Sequence, residues 1–179
     1  NLGAPKAAKT LLFGDSLGVE IFIPILSAER IKIIGQNMPS LYQLLPSQEY
    51  FSQVGAYYGE LGGAGFSYLQ TKERFISSGF NSILLSGAES FHSQSLDNFN
   101  ASGLNVYNIN GCNTPTISSI IKRTDFNDEY SALMLAGDGT VPLGSSKAIN
   151  ISSNKIYYFK NISHATMPSD TGIKSLATD

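Results

Sequence analysis

The sequence predicts a protein of the α/β class, and three observations support this. Short runs of aromatic and β-branched residues at 105–109 and 155–159 are typical of strands. Between them lie a Thr114–Pro115 turn, a helical segment at 117–122 and an apolar run at 130–136, so strands alternate with helices. The chain has 179 residues, enough for one domain with a hydrophobic core.

The first hundred residues favour helices. A short helix is expected around 6–13, and apolar residues recur with helical spacing at 28–45, where Pro46 would end the helix. Residues 55–68 are rich in glycine and aromatic side chains, which indicates an irregular loop with an exposed aromatic surface. Helical spacing returns at 69–100, which places His92 on a helix face in a structural or surface role.

Composition excludes several classes of function. A net charge of -2, with no run of Lys or Arg, argues against nucleic-acid binding. Cys112 is the single cysteine, and His92 and His164 are the two histidines, so we predict no metal site and no cofactor. The sequence lacks an apolar run of about 18 residues and a secretory signal pattern. The compartment stays open, and no obligate protein partner is predicted.

Two residues of the last third suit acid–base chemistry. Asp138 lies in GDGTVP, directly after an apolar run, where the ligand-binding C-terminal edge of a largely parallel α/β sheet is expected; an aspartate that only caps a turn is the alternative. His164 follows the last strand-like segment. In α/β-hydrolases the serine, the acid and the histidine follow in that order, and Asp138 precedes His164. A histidine takes the proton of a serine nucleophile, and a buried carboxylate orients it.

The nucleophile is harder to place. Ser16 lies in GDSLG and resembles the serine block of GDSL lipases, but a helical segment precedes it and no helix follows, the reverse of a nucleophile elbow. The acid that those lipases carry three residues before the histidine is Asn161 here. Cys112 is a conceivable nucleophile, although a partly buried thiol is the simpler interpretation.

Several strings together resemble the lecithin:cholesterol acyltransferase family of α/β-hydrolases. They occur in the family's order and span almost the whole chain: NLGAPKAAKTLLFGDSLG, NMPSLYQLLPSQEYF, FHSQSLDNF, VYNINGCNTPT, GDGTVPLGSS and the final His164. The resemblance implies a partial α/β-hydrolase fold, with residues 1–19 following the nucleophile elbow, 20–103 forming a helical cap or lid, and 104–179 carrying the acid and base of the core.

The resemblance also implies an activity. Asp138 and His164 would be the catalytic acid and base of an enzyme that hydrolyses or transfers acyl groups of lipid esters, with peripheral contact to a lipid surface. The family's serine would stand before Asn1, so this polypeptide alone is expected to be inactive. Two alternatives stay open: a GDSL-type esterase that uses Ser16, and a binding module that keeps the fold without catalysis.

Overall fold

A computed structural model describes residues 1–15, 27–123 and 130–178 of the chain. Its helical elements include the following: α1 (Pro5–Phe13), α2 (Ala28–Gly35), α3 (Pro39–Gln43), α4 (Gln48–Gln53), α5 (Tyr68–Ser77), α6 (Ser82–Phe91), α7 (Leu143–Ser146) and α8 (Thr171–Thr178). A π-helical turn, His92–Leu96, continues α6, and short 3-10 turns lie at Ser153–Lys155 and Met167–Ser169.

The strands of the described residues form two small sheets. The strands are β1 (Tyr58–Glu60), β2 (Asn108–Cys112), β3 (Thr114–Lys122), β4 (Tyr130–Gly137) and β5 (Ile156–Lys160). The first sheet has the order β1-β3-β4, with β1 parallel and β4 antiparallel to β3. The second sheet is the parallel pair β2-β5. The protein is therefore a mixed α/β structure that includes parallel strand pairs, although its sheets are only partly parallel.

Local signals account for several helix ends. Pro5 occupies the first turn of α1, where its missing N–H costs nothing, and Gly14 ends the helix with a positive φ of 75°. Ser67 and Gln70 form a reciprocal capping box at the start of α5. The side chain of Asn81 accepts two backbone N–H groups at the start of α6. The helices expected around 6–13, within 28–45 and within 69–100 are confirmed.

The prediction of a Thr114–Pro115 turn and a helix at 117–122 is wrong, because both segments belong to β3. Thr116, Ser118 and Ile120 are buried at every second position, which is the period of a strand. A bulge interrupts the β3-β4 register between Ile117 and Ser119. Ile117, Ile120 and Ile121 have the spacing of a helix face, but β-branched side chains favour a strand, and β3 pairs with a strand on each side.

Aromatic side chains dominate the hydrophobic core. Tyr42, Tyr50, Tyr57 and Phe75 are at most 2% exposed, and Phe75 stacks on Phe80 with ring centroids 4.4 Å apart. Apolar residues of α1 and Ile120 of β3 pack into the same cluster. Helix α1 thus packs against β3, whereas residues 131–136 of β4 are exposed. Residues 55–67 contain β1 and are otherwise irregular, as predicted, but the expected exposed aromatic surface is wrong because Tyr57 and Tyr58 are buried in the core.

The N-terminal residues are fixed next to α7. The buried Ser145 hydroxyl accepts the N–H of Leu2 at 3.0 Å and donates to the carbonyl of Gly3 at 2.6 Å. The carbonyl of Leu2 also accepts the N–H of Ser47 at 2.9 Å. Residues 1–3 therefore join the segment that follows Asp138 to the helical region, and the three-part division of the chain stays a prediction.

Two further sequence-based interpretations concern membrane spans and the GDSLG string. Within residues 1–15, 27–123 and 130–178, the structure contains no helix of the length and apolarity that a membrane span requires. Ser16 and the rest of the GDSLG string beyond Asp15 lie outside the described residues.

Candidate active site

Asp138 is held in a tight turn directly after β4. Its Oδ1 accepts the N–H of Thr140 at 2.9 Å and that of Val141 at 2.7 Å, and the residue is only 4% exposed. Gly137 leads into the turn where a Cβ would lie 2.4 Å from the carbonyl oxygen of Val141, so a side chain there does not fit. One carboxylate oxygen is thus committed to the backbone, and the other is available to a second group.

Thr116 of β3 fixes the same turn from the neighbouring strand. Its Oγ1 accepts the N–H of Gly139 at 2.8 Å and donates to the carbonyl of Thr114 at 2.9 Å. Thr116 is fully buried, and Gly139 has a φ of 87°, a conformation that glycine adopts without strain. The antiparallel strand next to β4 therefore determines where the Asp138 carboxylate lies.

His164 reaches Asp138 from the loop after β5. Asn161 turns the chain with a φ of 59°, and its N–H donates to the carbonyl of Cys112 at 2.8 Å. The N–H of His164 then donates to the carbonyl of Asp138, also at 2.8 Å. Main-chain contacts therefore hold the histidine backbone next to the aspartate, independently of the side chains.

The two side chains form a short hydrogen bond. The distance between Nδ1 of His164 and Oδ2 of Asp138 is 2.8 Å, within the range predicted for an acid–base pair. Because a carboxylate only accepts, Nδ1 carries the proton, and in the neutral imidazole Nε2 keeps its lone pair. The carboxylate is 5% exposed and the imidazole 55% exposed. This arrangement gives a base whose orientation is fixed from the interior of the protein.

Strand β2 packs closely behind the pair. A Cβ placed on Gly111 would lie 2.7 Å from Cβ of Asp138, 2.9 Å from Cε of Met167 and 3.2 Å from Cγ2 of Ile162. A contact under 3.0 Å requires the neighbouring atoms to move. Glycine at this position lets the β2-β5 sheet approach the Asp138 turn, so Gly111 belongs to the support of the site.

The other candidate residues lie apart from this pair or outside the described chain. His92 is 3% exposed, and its Nε2 donates to the carbonyl of Gln43 at 2.8 Å, which confirms a structural position at a helix end. Cys112 is a partly buried free cysteine at the end of β2. The expectation that the pair lies at the edge of a largely parallel sheet is wrong, because Asp138 follows the antiparallel strand β4.

The sequence reasoning missed Thr116 and Gly111. Both act through the positions of neighbouring strands, and Thr116 was hidden because the segment around it was expected to be a turn and a helix. The available signal for the strand was the β-branched content of 114–122, with two Thr and three Ile among nine residues. Among the described residues, no group of three or more His, Cys, Asp or Glu side chains is placed to hold a metal ion.

No family model matches the chain, and no curated protein matches it.

Proposed function

We propose that Asp138 and His164 are the acid and base of a serine hydrolase that acts on acyl esters, of the lipase and acyltransferase kind. The observation that carries the proposal is the 2.8 Å bond between the exposed His164 imidazole and the buried Asp138 carboxylate. An aspartate that only caps its turn uses one carboxylate oxygen, as Asp138 does with Oδ1. Its second oxygen, Oδ2, accepts a hydrogen bond from His164, whose backbone is held in place by main-chain hydrogen bonds.

The chemistry follows from the tautomer. With Nδ1–H on Asp138, Nε2 of His164 accepts the proton of a serine hydroxyl as that oxygen attacks the ester carbonyl. The carboxylate stabilises the imidazolium. As the carbon–oxygen bond to the alcohol breaks, Nε2–H gives the proton to the departing alcohol and an acyl-serine is left. Water or a second alcohol then attacks the acyl group, with His164 again taking and returning the proton.

The nucleophile in this proposal is a serine outside the described residues. The resemblance to the lecithin:cholesterol acyltransferase family favours a serine encoded before Asn1, with the partial α/β-hydrolase fold, the cap at 20–103 and lipid esters as substrates as further parts of the proposal. Ser16 is the alternative source. The GDSL-type interpretation is weakened because Asn161 stands where that family has its acid, whereas His164 bonds to Asp138.

The test uses the longest polypeptide that the gene encodes. Hydrolysis of p-nitrophenyl butyrate and of phosphatidylcholine vesicles is measured for the unmodified protein, Asp138→Asn and Ser16→Ala. The amide introduced by Asp138→Asn can still accept from the backbone of the turn but presents an NH₂ group to Nδ1, so the rate should fall by about 10⁴-fold. Ser16→Ala should have little effect.

A fluorophosphonate probe with mass spectrometry identifies the serine that becomes labelled. Labelling of a serine before Asn1, lost on denaturation, supports the proposal, and labelling of Ser16 supports the GDSL alternative. A full-length protein that hydrolyses neither ester and takes no label would contradict catalysis and favour a binding module.

A further inference from the structure

A polar cleft lies between α4, α5, α6 and the π-helical turn, and none of its lining residues belongs to the Asp138 turn. Its volume is about 1020 Å³. The lining residues that matter are Tyr68, Glu89, Ser90, His92, Asp97 and Asn98. All of them belong to the region before residue 100, and none takes part in the proposed triad. The cleft is therefore a site independent of the proposed function.

One wall of the cleft is a fixed carboxylate. Glu89 accepts the Tyr68 hydroxyl through Oε1, and its Oε2 accepts Nζ of Lys72 at 2.7 Å. Burial, followed by the bond to Glu89, raises the pKa of Tyr68 above that of an ordinary tyrosine. The phenol therefore keeps its proton and holds Glu89 in one orientation. Ser90 is exposed on the next position of α6.

The opposite wall is built by the π-helical turn. The N–H of Asp97 donates to the carbonyl of His92 at 2.8 Å, which closes the wide turn. Oδ1 of Asp97 accepts the buried Ser47 hydroxyl at 2.9 Å and lies 3.5 Å from Nδ1 of His92. That nitrogen is buried and has no hydrogen-bond partner among the described residues. Single π-helical turns next to α-helices occur often at functional sites.

The lining selects a class of ligand. Hydroxyl, amide and carboxylate groups suit ligands with many hydroxyl groups, and the rings of Phe51 and Tyr68, 5.5 Å apart, add an apolar surface. Among the described residues that line the cleft none is Lys or Arg, whereas Glu49, Glu89 and Asp97 are acidic, so an anion would be repelled. An acyl chain would leave these polar groups without partners.

We propose that this cleft binds a neutral polyhydroxylated ligand of the sugar or polyol type. Glu89 and Asp97 accept hydroxyl hydrogens, and Ser90 and Asn98 supply further polar contacts. Lys72 offsets the charge of Glu89, and the neutral Ser47 hydroxyl occupies one oxygen of Asp97, so the cleft attracts a bare cation less than free carboxylates would. The proposal therefore favours a neutral ligand over an amine.

The experiment measures binding of maltose and of myo-inositol to the longest polypeptide that the gene encodes, by saturation-transfer NMR and calorimetry. Choline chloride and inorganic phosphate serve as the cationic and anionic probes. We expect at least one of the two neutral probes to bind in the millimolar range, and choline and phosphate to bind at least about tenfold more weakly. Ser90→Leu, which places a larger side chain in the cleft, should weaken binding by about tenfold or more.

Ser77→Leu is the matched control. Ser77 is also an exposed helical serine that bonds to a carbonyl of its own helix, but it lies outside the cleft. Circular dichroism confirms that both variants are folded. The proposal is overturned if neither maltose nor myo-inositol binds, if choline binds more tightly than both, or if Ser90→Leu and Ser77→Leu have the same effect.

Discussion

Two histidine–carboxylate pairs lie in the described part of this chain, and they are built in opposite ways. His164 is 55% exposed at its side chain and places Nδ1 on a buried carboxylate, Asp138. His92 is almost fully buried, gives Nε2 to a main-chain carbonyl, and holds Nδ1 3.5 Å from Asp97. Nε2 of His92 is therefore engaged and its Nδ1 is buried, while the His164 imidazole is half exposed.

Under the proposed function, the difference illustrates what a catalytic base needs beyond a nearby acid. Both histidines have a carboxylate within reach, but in the first pair the carboxylate is fixed by backbone N–H groups and the imidazole is accessible. In the second pair the imidazole itself is fixed, and the carboxylate faces a cleft. Each of the following predictions would weaken or sharpen this contrast.

The largest effect is expected for activity. His164→Ala in the longest encoded polypeptide should reduce p-nitrophenyl ester hydrolysis by at least about 10³-fold, because the proposed serine nucleophile would lose its proposed base. The free energy of unfolding should fall by about 1 kcal/mol or less, since the ring is half exposed. Urea titration of the same sample checks the stability. Unchanged hydrolysis would mean that the accessible His164 contributes no more to catalysis than the buried His92.

The converse variant should affect stability. His92→Ala removes a buried ring and leaves the carbonyl of Gln43 without its donor, so the free energy of unfolding should fall by about 2–4 kcal/mol. Urea denaturation followed by circular dichroism measures it. The catalytic rate constant of the folded fraction should stay within about twofold of the unmodified protein. A selective loss of that rate would mean that His92 also serves catalysis.

A smaller effect is expected at the support of the first pair. Gly111→Ala puts a methyl group against Cβ of Asp138 and should destabilise the protein by about 1–3 kcal/mol and lower its activity. Gly87→Ala, on the exposed face of α6 with open space around its Cβ, is the control. That variant should stabilise the protein by about 0.5–1 kcal/mol. Equal effects of both changes on activity would contradict the close packing of β2 against Asp138.

The smallest effect at neutral pH is expected for Tyr68, which lines the same cleft as His92 and Asp97. Tyr68→Phe removes the bond to Glu89 and should cost about 1 kcal/mol. Because the pKa of Tyr68 is raised in the folded state, the unfolded chain releases this proton first as the pH rises above about 10, and the free energy of unfolding falls. Urea titrations between neutral pH and about pH 11 should show a shallower fall for Tyr68→Phe. An identical slope would contradict the raised pKa.

Sequence patterns located the helices better than the strands. Capping residues such as Ser67 and Asn81 mark helix starts locally, so the pattern and the structure agree there. Strand β3 was mistaken for a turn and a helix because its stability comes from β1 and β4, which pair with it through contacts that local patterns do not show. The π-helical turn after α6 left no signal in the spacing of apolar residues.

The residues of the candidate site also differ in whether the sequence alone could identify them. Asp138 was recognisable because GDGTVP combines a turn with an acidic side chain, and His164 because it follows the last strand-like run. Their supports, Thr116 and Gly111, were not recognisable, since neither carries a chemical signature and both matter through the distance to another strand.

The sequence by itself determined the residue types for acid–base chemistry, their order, the mixed α/β character and the helical first half. Only the tertiary structure decided that Asp138 and His164 touch, although they are 26 positions apart. It also decided that His92 is enclosed while His164 stays accessible. The physical reason is that turns and helix caps are set by neighbouring residues, whereas burial and side-chain contact depend on which distant strands pair.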